Sequence, residues 1–530
     1  MTGTTSLLAA PLPAPSIEYG RLAPVLIVLG VAVAGVVIEA FAPAARRWLL
    51  QVSLAVAGLV AAAVAVVLLA GRVASFPDGG VSMVGSMIVD GTTLALQGIV
   101  LAVALPAILL VAERRVEVTA DGIPADAFAA RASTIPGSVA ERQATRAGVT
   151  QTEVFPLTMF AVGGMLIMPA SGDLLTMFIA LEVLSLPLYL LCGMARRRRL
   201  MSQEASLKYF LLGAFASAFF LFGVALLYGY AGTSDLADIA AAIDADTGSR
   251  ALAVTGAALL VAGLLFKIGA VPLHAWIPDV YQGAPTPITA FMAAATKIAA
   301  VGALLRVLTT ALPDLTDSLR PMLWAVVILT MVVGSVAAIS QTNVKRMLAY
   351  SAVAHAGFML TGLAAAGALA PSATIFYLFA YGMSTLGAFA IVTLVRTSRG
   401  EADDLSSWAG LGKRSPLVAA MFALLLLSFA GIPLTSGFIA KFAVFRAAAE
   451  AGGGALVVVG VVCSAIAAAF YVRVIVLMFF TDAGEDPAVV TNPSALTKIA
   501  VAVCTALTIV LGLAPQWALD LANRAAELLT

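Results

Sequence analysis

Five charged side chains interrupt long apolar runs in this chain of 530 residues, and each could carry a proton. They are one glutamate and four lysines: Glu182, Lys208, Lys267, Lys297 and Lys441. An ionised side chain at the centre of a bilayer costs about 2.5–3.5 kcal/mol on insertion scales. Because such groups are costly in lipid, their presence predicts a function, and the movement of charge is the chemistry that these residue types can perform.

Glu182 lies within the apolar stretch from Ala180 to Pro187, and it needs a partner from another helix. Lys267 is the expected partner, because a carboxylate within about 4–6 Å favours the charged lysine whereas desolvation favours the neutral amine. A lysine held between these two effects can lose its proton when the ion pair weakens. The alternative is a permanent buried pair that only joins two helices.

Three further lysines differ in their depth along the predicted helices. Lys297 and Lys441 lie about mid-way through the bilayer, too deep for easy snorkelling, so we expect both to relay protons. Lys208 lies in the first turn of its helix, four residues after Glu204 and close to the basic run of residues 196–199. A salt bridge near the membrane surface therefore explains Lys208 almost as well as transport does.

The chain has only two histidines, and both lie close in sequence to this system. His274 follows Lys267 by seven residues, and His355 falls in the middle of the tenth predicted helix. Histidine titrates near physiological pH, so each could relay protons, or each could be a hydrogen-bonded core residue. Arg306, Arg446 and Arg473 lie towards helix ends, where we expect them to act as anchors that reach lipid headgroups.

The composition indicates an all-α, polytopic membrane protein. Hydrophobic residues make up 61% of the chain and charged residues 11%, and the mean hydropathy is +1.03. The apolar runs are long enough to cross about 30 Å of hydrocarbon as helices, which excludes the short alternating strands of a β-barrel. The first twenty residues contain no Lys or Arg, so we expect the first apolar run to be retained as a helix.

Several cofactors and ligands are disfavoured by the same composition. Cys192, Cys463 and Cys504 are widely separated, which argues against an iron–sulfur cluster or a zinc site. Two histidines without an attachment motif argue against haem. A net charge of +1 argues against nucleic acid as a partner.

The apolar pattern predicts about fourteen transmembrane helices. They lie near residues 22–42, 50–70, 91–112, 154–170, 174–194, 205–230, 252–273, 287–309, 321–340, 345–367, 374–396, 416–449, 455–480 and 496–518. The loops on one side hold eighteen Lys and Arg residues and those on the other hold five. The positive-inside rule then places both termini on the extracytoplasmic side of the cell membrane.

Helices seven and twelve each combine a lysine with a glycine and proline break. The first break is Gly269-Ala270-Val271-Pro272 and the second is Gly431-Ile432-Pro433. Proline removes a backbone donor, and freed carbonyls within a membrane must face protein or water. Matching breaks in two halves of a chain indicate a transport site, although two ordinary packing kinks are the alternative.

The two breaks lie five helices apart in helices of opposite direction, so we expect two inverted five-helix repeats. The predicted units are helices 1–3 (residues 1–112), a cytoplasmic polar loop (113–153), the first repeat with helices 4–8 (154–309), the second repeat with helices 9–13 (321–481) and a C-terminal helix (496–530). We expect the polar loop to be flexible, the alternative being a docking surface.

Four segments resemble the antiporter-like membrane subunits of respiratory complex I. They are residues 266–287 followed by Ala295-Thr296-Lys297, residues 341–351, Ala354-His355-Ala356-Gly357, and residues 431–442. These motifs are long and specific, and the resemblance spans roughly Val154 to Phe480. The first three helices, the loop of residues 113–153 and the last helix carry no such motif.

The resemblance implies a role for each buried charge in a proton-translocating subunit. Glu182 and Lys267 are implied to be the coupling pair, Lys297 the central relay, Lys441 the lysine on the outlet side and Lys208 an accessory group. The redox chemistry would belong to other subunits, so no cofactor is expected in this chain.

The implied partners are neighbouring antiporter-like and small subunits of the membrane arm, together with lipids. A subunit of a multi-subunit cation/proton antiporter is the alternative function, since those antiporters share the fold and its lysines. A purely structural membrane scaffold is a third.

Overall fold

The computed structural model describes residues 17–527 except 77–79, 84, 119–123, 132–133, 136–137, 148, 247, 399 and 485. Parts of the predicted terminal units, residues 1–16 and 528–530, thus lie outside the described residues, as does Arg399 of the loop-charge count.

Helices dominate the described residues. Twenty α-helices follow one another: α1 (Ala23–Phe41), α2 (Ala44–Ala70), α3 (Gly91–Val111), α4 (Val139–Arg146), α5 (Val154–Ile167), α6 (Leu174–Cys192), α7 (Arg199–Ala231), α8 (Leu236–Asp244), α9 (Arg250–Ile268), α10 (Trp276–Gly283), α11 (Thr286–Arg306), α12 (Thr316–Ile339), α13 (Val344–Ala365), α14 (Ala370–Leu394), α15 (Leu411–Arg414), α16 (Pro416–Ala430), α17 (Ser436–Glu450), α18 (Gly454–Phe480), α19 (Ala495–Leu513) and α20 (Gln516–Glu527).

The strands are two or three residues long and lie in loops. They are β1 (Val81–Ser82), β2 (Met87–Ile88), β3 (Glu117–Val118), β4 (Pro124–Ala125), β5 (Val395–Thr397), β6 (Gly400–Glu401) and β7 (Val489–Val490). β1 pairs with β2, β3 pairs with β4, and β5 lies between β6 and β7, all antiparallel. The predicted all-α class is confirmed.

The number of membrane spans agrees with the prediction. Among the described residues, twelve helices are long and apolar enough to cross a membrane, and two shorter apolar helices occupy Val154–Ala170 and Pro416–Ala430. The last predicted span is too long by five residues, because α19 ends at Leu513 and a separate helix, α20, begins at Gln516. Pro515 lies between them, and the residue before a proline is disfavoured in helical conformation. The chain is a multi-pass membrane protein.

Three helices form the centre of the bundle. α11, α13 and α14 are almost entirely buried. In α2, α7, α12 and α18, by contrast, only about a third of the residues of the apolar stretch are buried. The peripheral helices present large apolar side chains outward, among them Val67, Phe215 and Val458. α11 carries Lys297 and α13 carries His355, so the central position of these helices explains why both side chains lie far from the outer surface.

Both predicted helix breaks are present, and they share one local geometry. α9 is followed by the cap residue Gly269 with φ +83°, and α16 by the cap residue Gly431 with φ +81°, a left-handed conformation that favours glycine. In each case the glycine N–H donates to two carbonyls of the preceding turn. A Cβ on Gly269 would also lie 1.9 Å from Cδ1 of Ile277. The chain then resumes as α10 or α17, as expected for broken membrane helices.

The described part of residues 113–153, the polar loop that we expect to be flexible, makes specific contacts with residues 194–199. Asp126 accepts from Arg196 at 2.6 Å, and Glu141 accepts from Arg199 at 2.9 Å. The N–H of Ala129 also donates to the carbonyl of Met194. The basic run of residues 196–199 therefore holds this segment by ion pairs and backbone contacts, which a pattern of Ala, Gly and Pro did not reveal.

Arg306 was predicted to be a headgroup anchor, and the structure places it elsewhere. Its side chain is 3% exposed at the end of α11. The guanidinium lies 2.8 Å from Asp90, the N-cap of α3, and donates to the carbonyl of Pro169 at 2.8 Å. Arg446 and Arg473 are exposed, as anchors require. Arg306 instead joins α3 to α11, because a buried charge needs a paired and hydrogen-bonded partner.

Candidate functional site

Glu182 and Lys267 lie on α6 and α9, with α7 packed against both helices. The expected ion pair is not formed. The Glu182 carboxylate accepts a hydrogen bond from Ser217, and the Lys267 ammonium donates to the phenol oxygen of Tyr209 at 3.1 Å. Ser217 and Tyr209 both belong to α7. The intervening helix therefore supplies each charged group with a separate polar partner.

Lys267 is buried among aromatic side chains. It is 2% exposed, and its ammonium lies 4.8 Å from the ring centroid of Tyr209 and 5.5 Å from that of Tyr189. A cation over an aromatic face is stabilised by the ring quadrupole. Lys267 is thus held by a hydroxyl and two rings, with no carboxylate within 4.0 Å among the described residues.

Lys297 lies at the first helix break. Its ammonium donates at 2.8 Å to the carbonyl of Ile268, the last residue of α9, and at 2.8 Å to the carbonyl of Ala352 in α13. The side chain is 1% exposed. A helix end leaves carbonyls without intrahelical partners, and the break in α9 places such carbonyls next to Lys297. The side chain thereby joins the end of α9 to α13.

Lys441 occupies the second break in a similar way. Its ammonium donates to the carbonyls of Phe429 and Ala430 at 2.8 and 3.2 Å, and to the hydroxyl of Ser464 at 2.7 Å. Phe429 and Ala430 end α16, so the second break is also closed by a lysine. The ring of Phe358 lies 4.6 Å from the ammonium.

His355 lies between the two lysine sites. Its Nδ1 is 2.8 Å from the hydroxyl of Tyr377, and its Nε2 is 3.4 Å from that of Tyr471. The imidazole also contacts Tyr381, whose ring lies 6.0 Å from Lys297, and Phe429, whose carbonyl accepts from Lys441. The structure therefore brings His355, Lys297 and Lys441 into one buried polar cluster.

Lys208 and His274 are placed differently from the buried lysines. Lys208 lies in the third turn of α7 and not in the first, because α7 begins at Arg199. Lys208 is 42% exposed and forms ion pairs at 2.7 Å with Glu204 and with Asp279. His274 lies half-buried in the loop between α9 and α10, where its ring is 6.5 Å from that of Tyr350. Among the described residues no hydrogen bond joins His274 to a buried lysine. Its predicted role in the relay thus has no contact to support it.

Asp279 is a site residue that the sequence argument passed over. It accepts from Lys208 of α7 and from Arg346 of α13, each at 2.7 Å. It therefore ties α10 to α7 and to α13. Its position could have been found from the sequence, because a carboxylate in a short helix directly after a helix break indicates a functional residue. Tyr209, Ser217 and Ser464 gave no such signal, because single hydroxyl side chains are common in apolar helices.

A second polar cluster surrounds Glu401 near the start of α13. Glu401 accepts from Lys345 at 2.8 Å and from Thr286 at 2.6 Å, and Arg396 lies 3.6 Å away. A cavity of about 190 Å³ lies next to it, lined also by the basic run and by the turn between α10 and α11. Burial opposes ionisation of Glu401, but Lys345 and Arg396 outweigh it and hold its pKa at about 2.

Replacing Glu401 with glutamine should destabilise the chain at neutral pH, because Lys345 is 1% exposed and would lose its counter-charge. The ordinary pKa of 4.5 falls to about 2 in the folded chain. The stabilisation is therefore complete above about pH 4.5 and is lost as the pH falls through about 2. Thermal denaturation of wild type and E401Q at several pH values measures the difference.

The exposed ion pair of Asp482 with Lys413 provides the matched control for E401Q. Both side chains are solvent-exposed, at 91% and 69%. Ion pairs between solvent-exposed side chains contribute little to stability, so D482N should leave the denaturation temperature nearly unchanged. Equal effects of E401Q and D482N at neutral pH would contradict the role given to Glu401.

Glu113, like Glu401, is a carboxylate held by several polar partners, and it joins the ends of two helices. Its carboxylate accepts from the N–H and hydroxyl of Ser494 at 2.7 Å and from Thr497 at 2.6 Å. Burial raises the pKa of Glu113, but these hydrogen bonds outweigh burial and the net pKa is lowered. Ser494 precedes α19, so Glu113 fixes the start of α19 against the end of α3.

A metal site finds no support in the arrangement of ligand side chains. Among the described residues, no three His, Cys, Asp or Glu side chains cluster closely enough to hold an ion. The cysteines Cys192, Cys463 and Cys504 are each buried and unpaired with one another. The groups of the buried cluster that can carry protons are the amines of Lys297 and Lys441, the imidazole of His355 and the tyrosine hydroxyls beside it.

Comparison with known proteins gives close relatives over nearly the whole chain. A protein of Rhodococcus opacus strain B4 named NADH-quinone oxidoreductase subunit N is 65% identical over 98% of this chain and 97% of its own length. A chain of respiratory complex I from Thermus thermophilus with bound aureothin is 32% identical, with a TM-score of 0.74 over 94% of this chain and 98% of that one.

A chain of the Mrp complex from Dietzia sp. DQ12-45-1b has the same fold, with a TM-score of 0.78 at 23% identity over 96% of this chain and 97% of that one. The family profile described as "NADH:quinone oxidoreductase/Mrp antiporter, TM" matches residues 171–467. This range contains all five intramembrane charges and both helix breaks. The chain therefore belongs to the NADH:quinone oxidoreductase/Mrp antiporter family of membrane subunits.

Proposed function

We propose that this chain is the proton-translocating, non-redox subunit N of a membrane-bound NADH:quinone oxidoreductase. The observation that carries the proposal is the buried series of titratable groups that runs from one helix break to the other. Lys267, Lys297, His355 and Lys441 are each at most 5% exposed, and each has polar partners. Redox chemistry is assigned to other subunits of the complex.

The series has a physical order. Lys297 binds the carbonyl of Ile268, the residue next to Lys267, so the first two amines share one backbone segment. His355 contacts the aromatic residues Tyr381 and Phe429, which in turn contact Lys297 and Lys441. We assign Glu182 and Lys267 to coupling, Lys297 to the central relay and Lys441 to the outlet side. Lys208 remains an accessory group.

Changes in charge pairing along this series are large enough to drive transport. Moving one elementary charge against 100 mV costs about 2.3 kcal/mol. One pKa unit corresponds to about 1.4 kcal/mol, so a shift of under two units is sufficient. Forming or breaking a buried contact between Glu182 and Lys267 is an interaction of that size.

The test is purification of the chain from its native membrane. We expect it to copurify with flavin- and iron–sulfur-bearing subunits and with neighbouring antiporter-like and small membrane subunits. After reconstitution into lipid vesicles, NADH oxidation by a quinone should acidify or alkalinise the lumen. Purification without redox subunits, or NADH oxidation without proton movement, would contradict the proposal.

The proposed orientation has both termini on the extracytoplasmic side of the membrane. Protease access to tagged termini can check this orientation.

The second candidate is a subunit of a multi-subunit cation/proton antiporter. The shared fold with the Mrp complex from Dietzia and the family description favour it. The discriminating measurement is exchange of Na⁺ or K⁺ for protons by the reconstituted complex in the absence of NADH. Exchange without NADH supports the antiporter, and exchange that occurs only during NADH oxidation supports the oxidoreductase.

A further inference from the structure

We infer that α7 holds Glu182 and Lys267 apart through two hydroxyl groups, those of Ser217 and Tyr209, and so sets the balance between the separated and the paired arrangement of the two charges. The inference rests on the proposed function for its consequence in pumping, but its geometric content can be tested separately. Ser217 and Tyr209 are positioning residues in this scheme, because they act through the two charged groups.

The first contact fixes the carboxylate. Ser217 donates to Oε1 of Glu182, and both side chains are half-buried in the interface of α6 and α7. Hydrogen bonds to an ionised acceptor are shorter and stronger than those between neutral groups. Glu182 must lose this bond before it can turn towards α9. Ser217 therefore opposes the approach of the carboxylate to Lys267.

The second contact fixes the amine, and the surrounding rings fix that contact. Tyr209 is fully buried, stacked on Trp276 with centroids 4.5 Å apart and an interplanar angle of 7°. Tyr189 packs edge-on against Tyr209 at 4.6 Å. The indole N–H of Trp276 donates to the carbonyl of Phe266, the residue before Lys267. The phenol ring cannot follow the ammonium, so Lys267 must leave Tyr209 to reach Glu182.

The half-helix α10, whose Trp276 stacks on Tyr209, is itself held by α7 and α13. Trp276 and Asp279 belong to the half-helix α10. Asp279 accepts from Lys208, the neighbour of Tyr209 on α7, and from Arg346 on α13. These ion pairs hold α10 in place against α7 and α13. The position of the Tyr209 hydroxyl is therefore determined by three elements rather than by rotation of a single side chain.

The two hydroxyls belong to different turns of α7. Tyr209 and Ser217 are eight residues apart on this continuous helix, so their backbone positions differ by about 12 Å along its axis. Ser217 donates to Glu182, and Tyr209 accepts from Lys267. Pairing requires that both charge-assisted bonds break. Removing either hydroxyl should therefore shift the balance towards the pair by about tenfold or more.

The experiment compares S217A and Y209F in the complete complex purified from its native membrane. Each substitution removes a single oxygen, so either variant can serve if the other fails to assemble. Electron cryomicroscopy of each variant should show the Glu182 carboxylate within about 4 Å of the Lys267 ammonium. Proton translocation driven by NADH should fall about tenfold, in step with the expected shift in the balance. S217T, which keeps the hydroxyl, should restore both measurements.

Tyr228 supplies the matched control, because it lies on α7 with its side chain 55% exposed on the outer surface. Y228F should leave the separation and the pumping rate unchanged. A pair that stays open in S217A and Y209F overturns the inference, whatever their pumping rates. A pair that closes while translocation is unchanged supports the inference and contradicts the proposed function, so the two failures can be told apart.

Discussion

Replacing Lys297 with alanine is expected to reduce NADH-driven proton translocation by roughly a hundredfold, the usual contribution of a positioned proton-transfer group. The substitution removes an amine that links the end of α9 to α13 through the carbonyls of Ile268 and Ala352. Translocation is measured by a pH-sensitive dye in vesicles that contain the purified complex. Copurification of the variant chain with the redox subunits reports assembly, and it should be retained.

Replacing Lys297 with arginine tests whether Lys297 must release its proton or only supply a positive charge. Arginine keeps its proton under all physiological conditions, so K297R should preserve the charge and still fail to pump. Lys413 provides the control, since it is 69% exposed and pairs only with exposed Asp482 among the described residues. K413A should pump at the wild-type rate. Normal pumping by K297A or by K297R would remove Lys297 from the relay.

Replacing Arg306 with alanine is expected to lower the stability of the folded chain by about 3–5 kcal/mol, because the buried carboxylate of Asp90 would lose its counter-charge. Both side chains are nearly inaccessible, at 3% and 7% exposure. Arg306 also donates to Thr93 in the first turn of α3. Thermal denaturation of the purified complex, followed by loss of this subunit, measures the effect.

A second substitution identifies the cause of that instability. Asp90 also caps α3 by accepting from the N–H of Thr93, and serine is an efficient N-cap without a charge. The double variant R306A/D90S should therefore regain much of the stability lost in R306A. If Arg306 were a headgroup anchor, R306A would cost little and D90S would not compensate. That result would restore the prediction made from the sequence.

The sequence was sufficient for the helices and for the two breaks. Apolar runs that hold a lysine, a glycine and a proline allow few arrangements in lipid, and the helices break at Gly269 and Gly431 as expected. The burial of Lys267, Lys297 and Lys441 also followed from their depth in apolar segments. These predictions depend on local composition, which a single sequence contains in full.

Tertiary partners were the part that the sequence could not supply. Arg306 was assigned to headgroups from its place near a helix end, but its partner Asp90 lies 216 residues away. Glu182 and Lys267 were matched as opposite charges, whereas α7 lies between their helices and provides Ser217 and Tyr209 instead. Which of several possible partners a buried charge takes depends on the order of helices in the bundle.

Lys297 and Lys441 meet the carboxyl-terminal ends of α9 and α16, and those ends carry the partial negative charge of the aligned peptide dipoles, equivalent to about half an elementary charge each. The interior of the bundle therefore contains two regions of negative electrostatic potential that arise from backbone carbonyls rather than from acidic side chains. Peptide dipoles do not titrate. The attraction of each region for a cation persists at every physiological pH, and reagents that modify carboxyl groups leave it intact.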